Sequence, residues 1–317
     1  MKSVIKYTLV LLGLSLAVVA LRDHLTKIPA LIHSVSLLPL MIGVAGLLVY
    51  QFWNASVWSE VLMTMGLRCK RFDCMRIWLE SESLKWLPGS VWSYGSRVVM
   101  AQKLGVTKKQ ASSSIVLELI ITNVAWLTMA WFILASDPIM ALVTPLLDQV
   151  VSFVTARVGF MILALFGVGI LVLLGLEILI KSDRFKRLLE LGKIDYTKCL
   201  QTTAHYAVLC LWNATMMWIV FSSIPELDAP YLVVLGVAGV AWLAGFWAVG
   251  IPGGIGVREA VIVLLLSQYG SVDAALLAAI VWRGAQMVAE IGSLMLSLGA
   301  GARVHLNKTS NHREGVI

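Results

Sequence analysis

Apolar residues gather in runs long enough to cross a bilayer, and most of the charged residues lie in the gaps between them. Six uninterrupted runs stand out, at 4–21, 31–52, 111–135, 158–180, 204–221 and 275–298. A helix needs about twenty such residues to span the hydrocarbon. The pattern predicts an all-α polytopic membrane protein, and the short alternating segments of a transmembrane barrel are not seen. Two further apolar regions, 77–102 and 231–268, are long but broken by Pro88-Gly89 and Pro252-Gly253. Proline removes a helical hydrogen bond and glycine loosens the backbone. Broken backbone at membrane depth survives only where protein or a wet cavity covers it. Each region therefore predicts a re-entrant hairpin or a discontinuous helix.

The two breaks open similar series of residues. Trp86-Leu87-Pro88-Gly89-Ser90 leads to Arg97, Leu104-Gly105 and Glu118; Gly250-Ile251-Pro252-Gly253-Gly254 leads to Arg258-Glu259, Tyr269-Gly270 and Arg283. Pro88 precedes Gly105 by 17 residues and Pro252 precedes Gly270 by 18; the steps to Glu118 and Arg283 are 30 and 31. Interrupted segments in corresponding positions of two halves point to a transporter with its site near the midplane.

Charge sets the expected orientation. Of 25 Lys and Arg, 18 fall in one set of gaps (the N-terminus, 53–76, 103–110, 181–203 and the C-terminal tail). The opposite set holds Arg22, Lys27 and Arg157. The positive-inside rule puts the basic set in the cytoplasm, with both termini there. The sides alternate correctly only if both interrupted regions return to the side they entered. The expectation is two units of span, span, hairpin, span, covering about 1–135 and 158–299, with opposite topologies. Region 231–249 is long enough to span, and full crossings would give eight spans or more. Residues 1–300 then form one transmembrane domain, with 301–317 a polar cytoplasmic tail expected to be disordered and solvated. The first run lacks a good cleavage site, so it reads as a retained span.

Composition agrees. The chain of 317 residues is 59% hydrophobic and 14% charged, against about a quarter charged in soluble domains. Its net charge of +7 suits anionic headgroups and does not call for nucleic acid. Cys69, Cys74, Cys199 and Cys210 read as unpaired thiols, because no zinc spacing accompanies them.

Ten charges lie inside apolar territory: Lys85, Arg97, Arg258 and Arg283, with Glu80, Glu82, Glu118, Glu177, Glu259 and Glu290. Each costs roughly 2.5–3.5 kcal/mol at a helix centre, so each needs a partner or a cavity. They can be ion pairs that simply join helices, yet they cluster around the Pro-Gly breaks. In the second cluster a glycine-rich turn opens a helix near Val257. Its free N–H groups and positive helix end suit an anion, and Arg258 adds a bidentate phosphate ligand. The alternative is a packing turn with Arg258 and Glu259 paired to other helices. Glu82 and Lys85 are spaced to pair on a helix. Glu118 and Arg283 occupy matching places with opposite charge and are expected to pair across the halves. Glu177 and His205 read as interfacial. No catalytic or metal-binding motif is found.

The blocks Lys85-Trp86-Leu87-Pro88-Gly89 with Arg97, Leu104-Gly105 and Glu118, and Pro252-Gly253-Gly254-Ile255-Gly256-Val257-Arg258-Glu259 with Arg283, resemble the lysylphosphatidylglycerol synthase transmembrane family. The resemblance covers nearly the whole chain. It implies a helical protein of a bacterial or archaeal cytoplasmic membrane that moves or handles lipids with polar headgroups. In the bifunctional synthases a similar domain flips the lipid made by an attached cytosolic domain. No counterpart of that domain is read here, so aminoacylation is not expected.

Three functions compete: a flippase or scramblase for a phospholipid or polyprenyl-phosphate-linked saccharide, an integral enzyme acting on a lipid phosphate, and a non-transporting factor in envelope polysaccharide assembly. For the second, Pro88-Gly89-Ser90 faintly resembles the Pro-Gly-x-Ser-Arg stretch of polyprenyl-diphosphate phosphatases, but Trp92 and Tyr94 interrupt it. The first is favoured. Its expected substrate-binding residues are Lys85, Pro88, Gly89, Arg97, Glu118, Pro252, Gly253, Gly254, Gly256, Arg258, Glu259, Arg283 and Glu290. The expected partner is a membrane lipid with a phosphate-bearing headgroup, with envelope-biosynthesis enzymes as further candidates. No cofactor or metal is expected.

Overall fold

The computed structural model describes residues 33–86, 91–135, 195–248 and 251–314. The expected spans 4–21 and 158–180, Glu177, and the Pro88-Gly89 break lie outside them. Within the described residues the order is α1 (Leu37–Thr64), α2 (Arg71–Glu82), α3 (Trp92–Ala101), α4 (Lys108–Ala130), α5 (Tyr196–Phe221), α6 (Tyr231–Trp247), α7 (Val257–Leu266) and α8 (Val272–Glu314). Short 3-10 turns follow α2 at Ser83–Trp86 and precede α7 at Pro252–Gly254. Among the described residues, four helical stretches are long and apolar enough to cross a membrane: Leu37–Thr64, Lys108–Ile133, Tyr196–Phe221 and Val272–Gly299. The α8 helix continues through the polar tail to Glu314, where the sequence predicts a solvated end.

The sequence places residues 53–64 in a basic loop, yet they form the last turns of α1. Their hydroxyls explain the difference. Ser56, Ser59 and Thr64 each donate back to the carbonyl three residues earlier, all at 2.7 Å, so these polar groups are satisfied within the helix. The helix stops at Gly66, whose φ of 78° is left-handed. Thr107 starts α4 with a capping box, its hydroxyl accepting from Gln110 N–H at 3.2 Å while its own N–H donates to Gln110 Oε1 at 3.0 Å. Asp195 caps α5, and the Lys198 amide it accepts from holds its carboxyl below the ordinary carboxylate range.

The first and fifth helices run antiparallel and are tied at both ends. Ser36 N–H donates to Ser223 O at 2.9 Å, and Asp195 N–H donates to Thr64 O at 3.1 Å. Between these ties Trp212 Nε1 donates to Gly46 O at 2.9 Å. The interrupted region after α5 closes on itself in the same way. Asp228 N–H donates to Tyr269 O at 3.1 Å, and Leu227 bridges Gly270. Helix α6 therefore starts, and α7 ends, at one place in the bundle.

Helix contacts come in matched pairs. Helix α1 packs on α2 as α5 does on α6; α2 meets α3 as α6 meets α7; α3 meets α4 as α7 meets α8. Between the halves, α4 meets α5 as α8 meets α1, and α4 meets α6 as α8 meets α2. The turns at Ser83–Trp86 and Pro252–Gly254 pack against each other.

Lipid tails are as apolar as leucine, so close packing rather than water exclusion holds such helices together. Gly236 and Gly239 of α6 lie directly on the end of α4. A Cβ there would sit 2.2 Å from Ile133 N and 2.2 Å from Ala130 N. Backbone cannot yield as a side chain can. Gly239→Ala is expected to cost about 1–3 kcal/mol, the usual range for overpacking. Thermal unfolding in detergent checks this; an unchanged melting temperature would mean that the helices are not this close.

Candidate functional site

Two groups of buried charge flank the packed turns. The first is built on α2, whose Trp78, Ser81 and Glu82 lie about a turn apart and share a face. Arg97 of α3 reaches into that face and is only 1% exposed. Its Nη1 meets Glu118 Oε2 at 2.6 Å, Nη2 meets Glu82 Oε2 at 3.3 Å, and Nε donates to Ser81 Oγ at 3.0 Å. Glu118 Oε1 accepts from Trp78 Nε1 at 2.8 Å and from the Tyr206 hydroxyl at 3.2 Å. The guanidinium also lies over the Trp78 and Trp58 rings, at 5.1 and 5.7 Å from their centroids. Both charges are thus neutralised and hydrogen-bonded, as burial in low dielectric requires.

The expected Glu118–Arg283 pair does not form. Each residue pairs with the hairpin of its own half: Glu118 with Arg97, and Arg283 Nε with Glu259 Oε1 at 3.4 Å. The contact recurs between equivalent helices with its polarity reversed. Arg283 Nη2 also donates to Gly253 O at 3.0 Å. The ion pair that does cross between the halves joins Lys85 Nζ to Glu290 Oε1 at 2.8 Å, while Lys85 also makes its expected pair with Glu82 at 3.3 Å. These bonds link the turn after α2 to α8.

The second group surrounds the glycine turn. Gly253, Gly254 and Gly256 have φ of 57°, 68° and 85°, a left-handed run that other residues rarely adopt. Two of its N–H groups, expected to be free for an anion, are engaged: Gly254 donates to Ile251 O at 3.2 Å, and Gly256 donates to Glu259 Oε2 at 2.6 Å. Glu259 thus supplies the negative charge at this helix end itself.

Arg258 differs from its neighbours. Among the described residues no carboxylate pairs with it, and its buried Nε has no hydrogen-bond partner. Its stem passes so close to Gly245 that a Cβ there would lie 2.3 Å from Nε. The guanidinium is 5.9 Å from the Trp242 ring centroid, and Trp242 stacks on Trp126 at 5.4 Å. Beside it is a cavity of about 20 Å³, lined by Arg258, Trp126, Trp242, Asn213 and Gln286 among others.

Of the predicted residues, the structure joins Lys85 with Glu290, Arg97 with Glu118, Arg283 with Glu259 and Gly253, and Glu259 with Gly256. Sequence reasoning missed Trp78, Ser81 and Tyr206 around Arg97 and Glu118, and Trp126, Asn213 and Gln286 at the cavity. Asn213 and Gln286 carried a usable signal, since each is an amide inside an apolar run. The indoles carried none, because most of the twelve Trp serve packing or the membrane interface. His205 reaches Glu60 at 2.5 Å near the start of α5, away from the two charge groups. All four cysteines are free, as expected. Among the described residues no cluster of His, Cys, Asp or Glu could hold a metal ion.

Apolar helices of spanning length and a buried charge network define a polytopic helical membrane protein. The profile of the lysylphosphatidylglycerol synthase TM region matches residues 4–291, and the chain belongs to that family. Membership places it in lipid and envelope biology. No curated protein matches it.

Proposed function

We propose that this protein moves a phosphate-bearing lipid, a phospholipid or a polyprenyl-phosphate-linked saccharide, between the leaflets of a cytoplasmic membrane. The observation that carries the reading is Arg258. Its Nε is buried beside a glycine-walled turn, and it is unpaired with any carboxylate among the described residues. A guanidinium left in this state suits a substrate that brings its own negative charge, and its planar fork matches phosphate.

The architecture proposed for this transport is an inverted repeat, about 1–135 and 158–299, with each Pro-Gly hairpin re-entrant. Three observations support it: the matched contacts between the halves, the antiparallel run of the equivalent helices α1 and α5, and the joined ends of the α6–α7 hairpin. Both termini are assigned to the cytoplasm from the 18-to-3 bias of basic residues. Envelope-biosynthesis enzymes are the proposed suppliers or users of the lipid.

The test is reconstitution in liposomes with headgroup-labelled phospholipids and polyprenyl phosphates. Label accessible to a membrane-impermeant quencher should exceed that in protein-free liposomes, and the lipid should be recovered chemically unchanged. Released phosphate would replace the transport reading with an enzymatic one. Equal accessibility with and without protein, for every lipid found to copurify, would overturn it.

A further inference from the structure

We propose that Cys69 and Cys74 are a modification site at the corner between α1 and α2, a dithiol that a small soluble disulfide oxidises reversibly to an intrachain disulfide. This goes beyond the lipid reading and holds whether or not the protein moves a lipid.

Chain geometry brings the two sulfurs together. Lys70 caps α2, so Cys69 is the residue before the cap and Cys74 is the fourth residue of the helix. Side chains at those two places meet across the first turn, as apolar pairs do when they staple the start of a helix. Cys74 N–H donates to Lys70 O at 3.1 Å and closes that turn. The thiols are hydrogen-bonded to each other, with Cys74 favouring negative charge on the Cys69 sulfur.

Access gives them different roles. Cys69 is half-buried between the exposed Arg68 and Lys70, whereas Cys74 is 0% exposed. Burial pushes both thiols up, Cys74 to about 12, and Asp73 adds to the rise in each. Cys69 is thus the sulfur that a soluble reagent meets, and Cys74 is the one placed to resolve the adduct. Arg68, Lys70 and the exposed Arg71 draw an anionic disulfide to the corner. The corner belongs to the basic set of gaps assigned to the cytoplasm, where disulfides are transient or redox-sensing.

Two exchanges complete the reaction. The Cys69 thiolate attacks one sulfur of the soluble disulfide, whose S–S bond breaks and releases one thiolate. That thiolate takes up the proton Cys69 gave to water. The Cys74 sulfur then attacks Cys69 Sγ, and the second soluble thiolate leaves with the Cys74 proton. Two protein thiols are oxidised, and one soluble disulfide is reduced to two thiols. The new bond pins the start of α2, the helix that holds Arg97 through Ser81 and Glu82.

The experiment exposes the full chain in detergent to oxidised glutathione, then denatures it, alkylates the remaining thiols and maps the peptides by mass. In the wild type both Cys69 and Cys74 should lose alkylation, joined to each other and lighter by two hydrogens. Cys199 and Cys210, at 3% and 2% exposure, should stay alkylated. Dithiothreitol should restore both lost thiols. Cys74→Ser should trap glutathione on Cys69, and Cys69→Ser should leave Cys74 alkylated. A stable glutathione adduct on wild-type Cys69, a bond from Cys69 to Cys199, or two unreacted thiols would each overturn the proposal. Should either variant not fold, the wild-type peptide map alone decides.

Discussion

Arg97→Ala is expected to leave little folded protein in the membrane. The guanidinium is 1% exposed and bonds Glu82, Glu118 and Ser81 at once. Removing it leaves the Glu118 carboxylate buried, with only the Trp78 and Tyr206 donors beside it. Breaking a buried pair from one side costs about 3–5 kcal/mol, a large part of a typical protein's stability. Arg97→Lys should rescue little, because one ammonium cannot span the three partners in the geometry of a planar fork. Removing both charges, as Arg97→Met with Glu118→Gln, should recover much of the loss. Thermal unfolding of the four proteins gives the coupling energy directly. Additive effects at Arg97 and Glu118 would contradict the contact. The cycle between Glu118 and Arg283 should instead be additive, since the two share no partner among the described residues.

Arg258→Ala should behave in the opposite way. The variant should melt no lower than the wild type, because a charge without a carboxylate partner among the described residues has been removed. Lipid translocation should nonetheless fall about tenfold to a hundredfold, the loss of one charged hydrogen bond or more. Arg258→Lys should also be impaired, since it keeps the charge but loses the fork. Melting and translocation measured on the same preparations separate the two arginines: Arg97 is expected to govern the first and Arg258 the second. Normal translocation by a well-folded Arg258→Ala would remove this residue from the lipid path.

The apolar runs and the two Pro-Gly breaks were legible because they are local: length, hydropathy and backbone chemistry decide them. The same held for which charges lie within apolar territory. The pairing was not legible, because it depends on which helix faces which. Matching positions in two repeats suggested that Glu118 and Arg283 meet. The folded bundle instead sets each beside the short helix that precedes it in the chain, so their partners are Arg97 and Glu259. The end of α1 was misread for a different reason. Ser56, Ser59 and Thr64 look like loop residues by composition, and only their bonds to preceding carbonyls reveal that a helix can carry them. The role of Glu259 followed from distance alone. A carboxylate three residues after a glycine either caps its own helix or leaves the amide for a ligand, and here it caps.

The ties at the two ends of α1 and α5 also constrain how the molecule can work. Main-chain bonds at Ser36–Ser223 and Thr64–Asp195 prevent these helices from sliding past one another without breaking. The pair is then a keel, and any rocking that the proposed transport requires has to be carried by the other helices around it. Probes at Gly43 and Met216, which face each other across that keel, should keep one separation with and without added lipid, while, if the proposed transport holds, probes at Ser83–Trp86 and Pro252–Gly254 should not.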